Sequence, residues 1–385
     1  MSDTYTTTTR TSWLGRIKDA LAGIIIGPIV IIASIYFLGW NEGRSATTIQ
    51  ALQRAKKNVV PVSPKKIDPA FDGKLVYTTG PAETSEVLED SAFNISRNAL
   101  VLRRNAEMYQ WQESEESKTQ KNLGGSETTT TTYSYSPVWS STLINSTDFK
   151  QPAGHQNPSQ LKVASATFVA QNAKVGQLRL DTSLLRSLED AEDIAISTSQ
   201  RSPAFPEARP FQGWFYIGAN ADQPQIGDVR VNFSQIPPQA VSVVGAQLGD
   251  TLTGYTDPNG YLISLIRTGT HSATELLDSA LMENSITTWL MRLGGLLFLF
   301  IGFALPMKIL SVLADVVPFI GNIVGLGTGL LAFSLAAVTW SITIAIAWFA
   351  NRPIHAIILL SLISAAIALL YRRKSKQPQL MKQAA

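Results

Sequence analysis

Hydrophobic residues fall into four long runs separated by one long stretch of mixed character, and that spacing defines the class of molecule. An α-helix needs about 20 mostly apolar residues to cross a hydrocarbon core of about 30 Å. Residues 20–40 meet this need near the N-terminus, and residues 291–311, 323–349 and 353–371 meet it near the C-terminus. Between the first and second runs the pattern changes to short alternating stretches rich in β-branched and aromatic residues, punctuated by Pro, Gly, Asn and Asp. Residues 74–78, 100–111, 130–139, 214–217, 229–233, 240–247 and 261–267 read as strands, and 181–192 as a short amphipathic helix. The Ser/Thr/Gly stretch 124–132 reads as a flexible hairpin tip. The expected architecture is an α+β membrane protein: four transmembrane helices, one N-terminal and three C-terminal, with a large strand-rich extracytoplasmic domain over residues 41–290.

Charge orients this arrangement. Arg10, Arg16 and Lys18 precede the first run, and Arg372, Arg373, Lys374 and Lys376 follow the last. By the positive-inside rule residues 1–19 and 372–385 are cytoplasmic tails, which requires an even number of spans. The first run leads into Gly39, Trp40 and Asn41 rather than a small-residue cleavage site, so it reads as an uncleaved anchor. A capping box, Ser272 with Glu275 three residues on, predicts a membrane-proximal helix over 272–289. Pro306 and Lys308 interrupt the next apolar run, which leaves 306–322 open between helical, interfacial and re-entrant readings. Small residues spaced four apart, Gly23 with Gly27 and then Gly321, Gly325 and Gly329, mark faces where a second helix can approach closely.

Composition removes several functions. A net charge of +3 without a basic stripe gives no reason to expect nucleic acid as a partner. Cysteine is absent, and the three histidines, His155, His271 and His355, stand far apart and in no metal-ligand spacing. No nucleophile elbow, phosphate loop or dinucleotide glycine pattern is present. Acidic groups at 83–90, 113–116 and 189–193 read as solvated faces. Arg292, Lys308, Asp315, Arg352 and His355 fall at span ends and read as interfacial anchors. No catalytic, cofactor or metal site is therefore expected.

Several ordered segments together resemble one family. They are Asn41-Glu42-Gly43-Arg44; Leu102-Arg103-Arg104 with Glu107-Met108-Tyr109-Gln110-Trp111; Tyr133-Ser134-Tyr135 with Trp139; Gly154-His155; Gly227-Asp228-Val229-Arg230-Val231; and Asn284-Ser285 leading to Trp289. The pattern, which covers nearly the whole chain, resembles the LUMA family of nuclear-envelope and endoplasmic-reticulum membrane proteins, a family that also has bacterial members. The resemblance implies a non-enzymatic, self-associating membrane scaffold, linked in animals to lamins and emerin and inferred to organise lipid-rich regions. This chain departs from the animal pattern in its Thr-rich tip and in the linker 197–211, so those two partners are not carried over. Membrane lipids, further copies of the chain and other membrane proteins are the expected partners. The rival expectation is a sensor or binding module in which the domain receives a lipid or another extracytoplasmic ligand; a membrane-associated enzyme ranks third. On local pattern alone, Tyr109 and Trp111 read as a core-facing strand stripe and Gly227-Asp228 as a turn into a strand.

Overall fold

The structure is a computed structural model that describes residues 3–351. Residues 353–371, the expected fourth span, and the basic tail 372–385 lie outside the described residues. Strand β1 (Asp3–Thr11) precedes helix α1 (Trp13–Asn58). Strands β2 (Val60–Pro61), β3 (Leu75–Glu83), β4 (Val87–Asp90), β5 (Ile95–Asn98), β6 (Val101–Lys121) and β7 (Glu127–Ser140) follow. Next come β8 (Ala166–Val169), β9 (Lys174–Val175), β10 (Leu178–Leu180), the short helix α2 (Thr182–Arg186), β11 (Glu192–Ile194), β12 (Arg209–Phe211) and β13 (Trp214–Ile217). Strands β14 (Val229–Ile236), β15 (Gln239–Leu248), β16 (Thr251–Thr253), β17 (Tyr255–Thr256), β18 (Leu262–Ile263) and β19 (Leu265–Thr268) complete the sheets. Helices α3 (Ala273–Ala314) and α4 (Pro318–Asn351) end the described chain.

The chain forms two compact units. The strand-rich unit comprises Met1–Arg10, Ala51–Gln120 and Thr128–Leu281, and the helical unit comprises Thr11–Gln50, Lys121–Glu127 and the chain from Met282 onward. Among the described residues three helices, α1, α3 and α4, are long and apolar enough to cross a membrane. One is N-terminal and two are C-terminal, with the strands between them, so the protein is an α+β membrane protein.

In the strand-rich unit one sheet runs β1-β7-β6-β14-β13-β12, with β11 and β8 paired to its inner strands, and the other is built around the antiparallel pair β3 and β15. Alternation sets which side chains meet. Ala106 and Met108 of β6 and Val229, Val231 and Phe233 of β14 are fully or almost fully buried, and pack with Phe93 and Phe215 in one continuous core. A second core joins the ends of two helices to a sheet: Leu52 and Ala55 of α1 and Leu276 and Leu277 of α3 pack on Leu75, Val244 and Ile263. Arg54 pairs with the buried Asp257, and Lys56 with Asp278 at 2.7 Å. Burial pulls the Asp257 carboxyl upward, but Arg54 and the amides of Tyr261 and Asn259 outweigh it and hold it below the ordinary carboxylate range.

Several expectations change. Within the expected N-terminal tail Asp3–Thr11 adds as an outer strand to β7, and α1 already starts at Trp13. The first span continues past residue 41 to Asn58, since Leu52 and Ala55 still have a core to bury against. The capping box is present, with Glu275 N–H donating to Ser272 Oγ at 3.2 Å and Ser272 N–H to Glu275 Oε2 at 2.7 Å. The helix it opens runs unbroken to Ala314, so 272–289 and 291–311 are one element. Residues 306–322 are helical to Ala314, turn over 315–317 and restart at Pro318, whose missing N–H costs nothing in a first turn. The helix expected over 181–192 shrinks to α2, capped by Asp181, because Glu192 already pairs with Gln235 of β14. The hairpin tip is also tighter than expected: β7 begins at Glu127, so Thr128–Thr132 are strand. Residues 261–267 split into β18 and β19.

Candidate functional site

Within the helical unit the segments around Asn41 and Asn284, distant in sequence, meet in a buried polar clamp. Asn41, Glu42 and Arg44 lie on consecutive sides of α1, while Asn284, Thr288 and Arg292 recur every four residues and so share one face of α3. Glu42 and Arg292 form a two-pronged ion pair, Nε to Oε1 at 2.6 Å and Nη2 to Oε2 at 2.9 Å. Arg44 donates to Asn284 Oδ1 at 3.0 Å, Thr288 Oγ1 at 3.2 Å and Asn41 Oδ1 at 3.2 Å. Asn41 Nδ2 returns a bond to the Thr288 carbonyl, and Asn284 Nδ2 donates to Ser45 Oγ. The Arg292 guanidinium lies 4.8 Å from the Trp289 ring, and Trp340 Nε1 of α4 donates to the Arg292 carbonyl at 2.8 Å. Arg292, expected as an anchor at a span end, pairs with a carboxylate only 5% exposed.

A second ionic group closes the other end of the same helices. Asp315, fully buried, accepts from Arg16 Nη2 at 2.5 Å and Lys121 Nζ at 2.8 Å. Arg16 also meets Glu127 at 2.7 Å and the Gly125 carbonyl at 2.7 Å. Trp13 Nε1 donates to the Val312 carbonyl, and Gly124 N–H to the Val316 carbonyl. Gly125 is obligatory here, because a Cβ would stand 2.4 Å from the Trp13 ring and its φ is +80°.

The expected packing glycines take different roles. A Cβ on Gly23 would sit 2.6 Å from the Leu305 carbonyl oxygen, and one on Gly27 2.6 Å from that of Gly302, so both carry the close approach of α1 to α3. Gly321 folds over Asp315, whose Oδ1 occupies the place of a Cβ. Gly325 has only Ser311 nearby, at 3.7 Å, and Gly329 has no neighbour within 4 Å among the described residues. Gly43 is similarly open, with Asn351 Oδ1 3.8 Å away.

In the strand-rich unit the remaining motif residues gather on β6, β7, β13 and β14. Gly227, with φ +91°, turns the chain so that its N–H donates to the Tyr109 carbonyl while Tyr109 N–H donates to the Asp228 carbonyl. Tyr109 and Trp111 lie opposite Met108 and Gln110 on the pleat, so they occupy the outer, half-buried face and not the core. There Trp111 meets His155 edge-on at 5.0 Å, and Tyr135 stacks on that imidazole at 3.8 Å. His155 lies 2.9 Å from the Gln151 carbonyl and 2.7 Å from Asp3 Oδ2. Burial and a hydrogen bond to Glu113 push the Tyr135 hydroxyl up to about 12, against a small opposing pull from the Gln151 amide. Arg230 pairs with Glu107 at 2.7 Å and is sandwiched between Trp139 and Trp214, 4.7 and 4.8 Å from their ring centres. Tyr216 donates to Asp228 at 2.5 Å, and burial together with that carboxylate raises its hydroxyl.

Sequence reasoning missed three partners. Asp90 is buried on Arg104 at 2.7 Å rather than solvated, Lys121 reaches Asp315, and Asp3 reaches His155. For Lys121 and Asp3 the deciding partner lies more than a hundred positions away and is not local, while Asp90 and Arg104 are 14 positions apart on different strands. Among the described residues no cluster of His, Asp or Glu suits a metal ion.

These features define an integral membrane protein whose helices are joined by buried polar groups and whose spans flank a strand-rich domain. The chain belongs to the Transmembrane protein 43 family, the LUMA family, whose profile matches residues 108–353. It is 31% identical over 367 residues to human Transmembrane protein 43, covering 92% of this chain and 91% of that one. The mouse relative is 32% identical over 355 residues, covering 89% and 88% of the two chains. A Drosophila melanogaster homolog is 28% identical over 342 residues, covering 86% and 89%. No solved structure matches the chain.

Proposed function

We propose that the protein is a non-enzymatic membrane scaffold that self-assembles through its spans and its extracytoplasmic domain to organise membrane complexes or lipid regions. The observation that carries this reading is the small-residue side of α4, where Gly325 and Gly329 leave room for another helix at close range. The buried clamp between α1 and α3 supports it, because a two-pronged ion pair holds those helices in one register and makes them a fixed platform. The basic starts and ends of the spans orient the Arg16 end of α1 and the tail 372–385 toward the cytoplasm. The membrane is then the bacterial inner membrane in a bacterium, or the endoplasmic reticulum and inner nuclear membrane in a eukaryote. Native mass measurement of the full-length protein in nanodiscs tests the reading. Several chains per particle are expected, falling toward one when Gly325 and Gly329 are both changed to Leu, and a wild-type monomer would refute it.

A second reading, a lipid-binding module, is favoured by a groove of about 290 Å³ between α3 and α4, lined by Phe300, Ile301, Leu305, Lys308, Ser311 and Gly325. A retained lipid that the wild type carries and Lys308→Met loses, on a particle of one chain, would select it over the scaffold.

A further inference from the structure

The clamp between α1 and α3 carries more positive than negative charge. Glu42 brings its one carboxylate, and Arg292 takes both oxygens of it. Arg44 brings a second guanidinium, whose three bonds, to Asn284 Oδ1, Thr288 Oγ1 and Asn41 Oδ1, all end on neutral oxygens. Among the described residues no carboxylate lies within ion-pair distance of Arg44. Its Nε is buried and meets no acceptor, and a guanidinium with five N–H donors keeps one more on Nη1. Neutral oxygens satisfy hydrogen bonds but offset only part of a partly buried charge. Hydrogen bonding alone does not call for a cation here, since a neutral side chain could donate to the same three acceptors.

The surroundings indicate which anion suits this charge. Arg44 stands four residues past the apolar run 20–40 on α1, and Asn284 and Thr288 stand just before the run 291–311 on α3, so both sides of the clamp lie where an apolar segment ends. Trp40 is one helical turn before Arg44 on the same side of α1, and it is exposed, as is Trp289 beside Thr288. Exposed tryptophan at the end of a spanning helix is the pattern of the headgroup layer. A planar guanidinium with donors to spare matches phosphate, and basic pockets between spanning helices take phosphate headgroups.

We propose that Arg44 is the centre of a phosphate-binding site that takes the headgroup of an anionic phospholipid. Asn41, Asn284 and Thr288 are its positioning residues: they fix the plane of the guanidinium and leave its charge uncommitted. The site is separate from the groove between α3 and α4, because Lys308 lies about 30 Å along α3 from Thr288 at about 1.5 Å per residue.

Native mass spectrometry of the delipidated full-length protein, titrated with phosphatidylglycerol or phosphatidylcholine of the same acyl chains, tests this. It reads lipids per chain whatever the number of chains per particle, and so reports separately from the scaffold reading. The wild type is expected to hold one phosphatidylglycerol per chain about tenfold more tightly than phosphatidylcholine, the equivalent of one bond to a charged group. Arg44→Gln should lose that preference, Arg44→Lys should keep most of it because the charge remains, and Lys308→Met should leave it intact. An Arg44→Gln that elutes as the wild type does and keeps the preference would overturn the site. Equal affinity of the wild type for the two lipids would overturn it without recourse to any variant. Stabilisation of the wild type by inorganic phosphate, abolished by Arg44→Gln and unaccompanied by a preference between the lipids, would overturn the lipid assignment in favour of a soluble phosphate.

Discussion

Removing the Arg292 side chain tests whether the α1–α3 clamp stabilises the helices as its geometry implies. Arg292→Met leaves the Glu42 carboxylate, 5% exposed, with neither of its two short bonds. Breaking a buried pair from one side costs about 3 kcal/mol, because the surviving charge keeps its desolvation penalty. Glu42→Leu should cost less, about 1–2 kcal/mol, since Arg292 is 17% exposed and keeps its stack on Trp289. The double variant Glu42→Leu with Arg292→Met removes both charges together, and so should lie within about 1 kcal/mol of the wild type. Thermal unfolding in nanodiscs reads the series at a common heating rate, since membrane proteins of this size often unfold irreversibly. At about 2–4 °C per kcal/mol, Arg292→Met should melt about 6–12 °C below the wild type and the double variant close to it. Losses that simply add in the double variant would show that the two residues do not act on each other.

Two further outcomes follow from local geometry. Gly27→Ala should destabilise the protein by about 1–3 kcal/mol, because its Cβ meets the Gly302 carbonyl oxygen at 2.6 Å, whereas Gly39→Ala, with open space, should not lower the melting temperature. Asp257, whose folded carboxyl is held below its ordinary value, contributes stability that is complete above about pH 4 and lost as pH falls through the lower folded value. The stability difference between wild type and Arg54→Met should therefore be present at neutral pH and shrink on acidification; a difference that grows with acid would contradict the assignment.

Much of the fold was legible because local rules and tertiary needs agree. Three of the apolar runs fall in helices long enough to span, β13 matches its expected range because Trp214, Phe215, Tyr216 and Ile217 are bounded by turns, and Ser272 with Glu275 announces the start of α3. The failures lie where a remote partner decides the outcome. Polar, Thr-rich residues 3–11 carry no burial signal, and they become a strand because β7 offers an unpaired edge. Residues 182–192 have a helical apolar period, yet β14 takes Glu192, Asp193 and Ile194 as strand partners and only one capped turn survives.

The family motifs were legible as words but not as contacts, and the contacts show what each motif needs from the other. Asn41, Glu42 and Arg44 contain one carboxylate, one guanidinium and one amide that would each be costly to bury alone in a membrane helix. Asn284, Thr288 and Arg292 supply the complement: a cation for Glu42, and two acceptors for Arg44. Each segment leaves buried polar groups unpaired without the other, so substitution of one partner should be tolerated only with a compensating change across the helix pair. Glu107 and Arg230 obey the same logic on neighbouring strands, where Trp139 and Trp214 enclose the guanidinium. The aromatic rings hold its flat faces while the carboxylate takes its edge, a geometry that lysine cannot reproduce. Arg230→Lys, charge-conserving on paper, should therefore behave as a loss of contact and not as a conservative change.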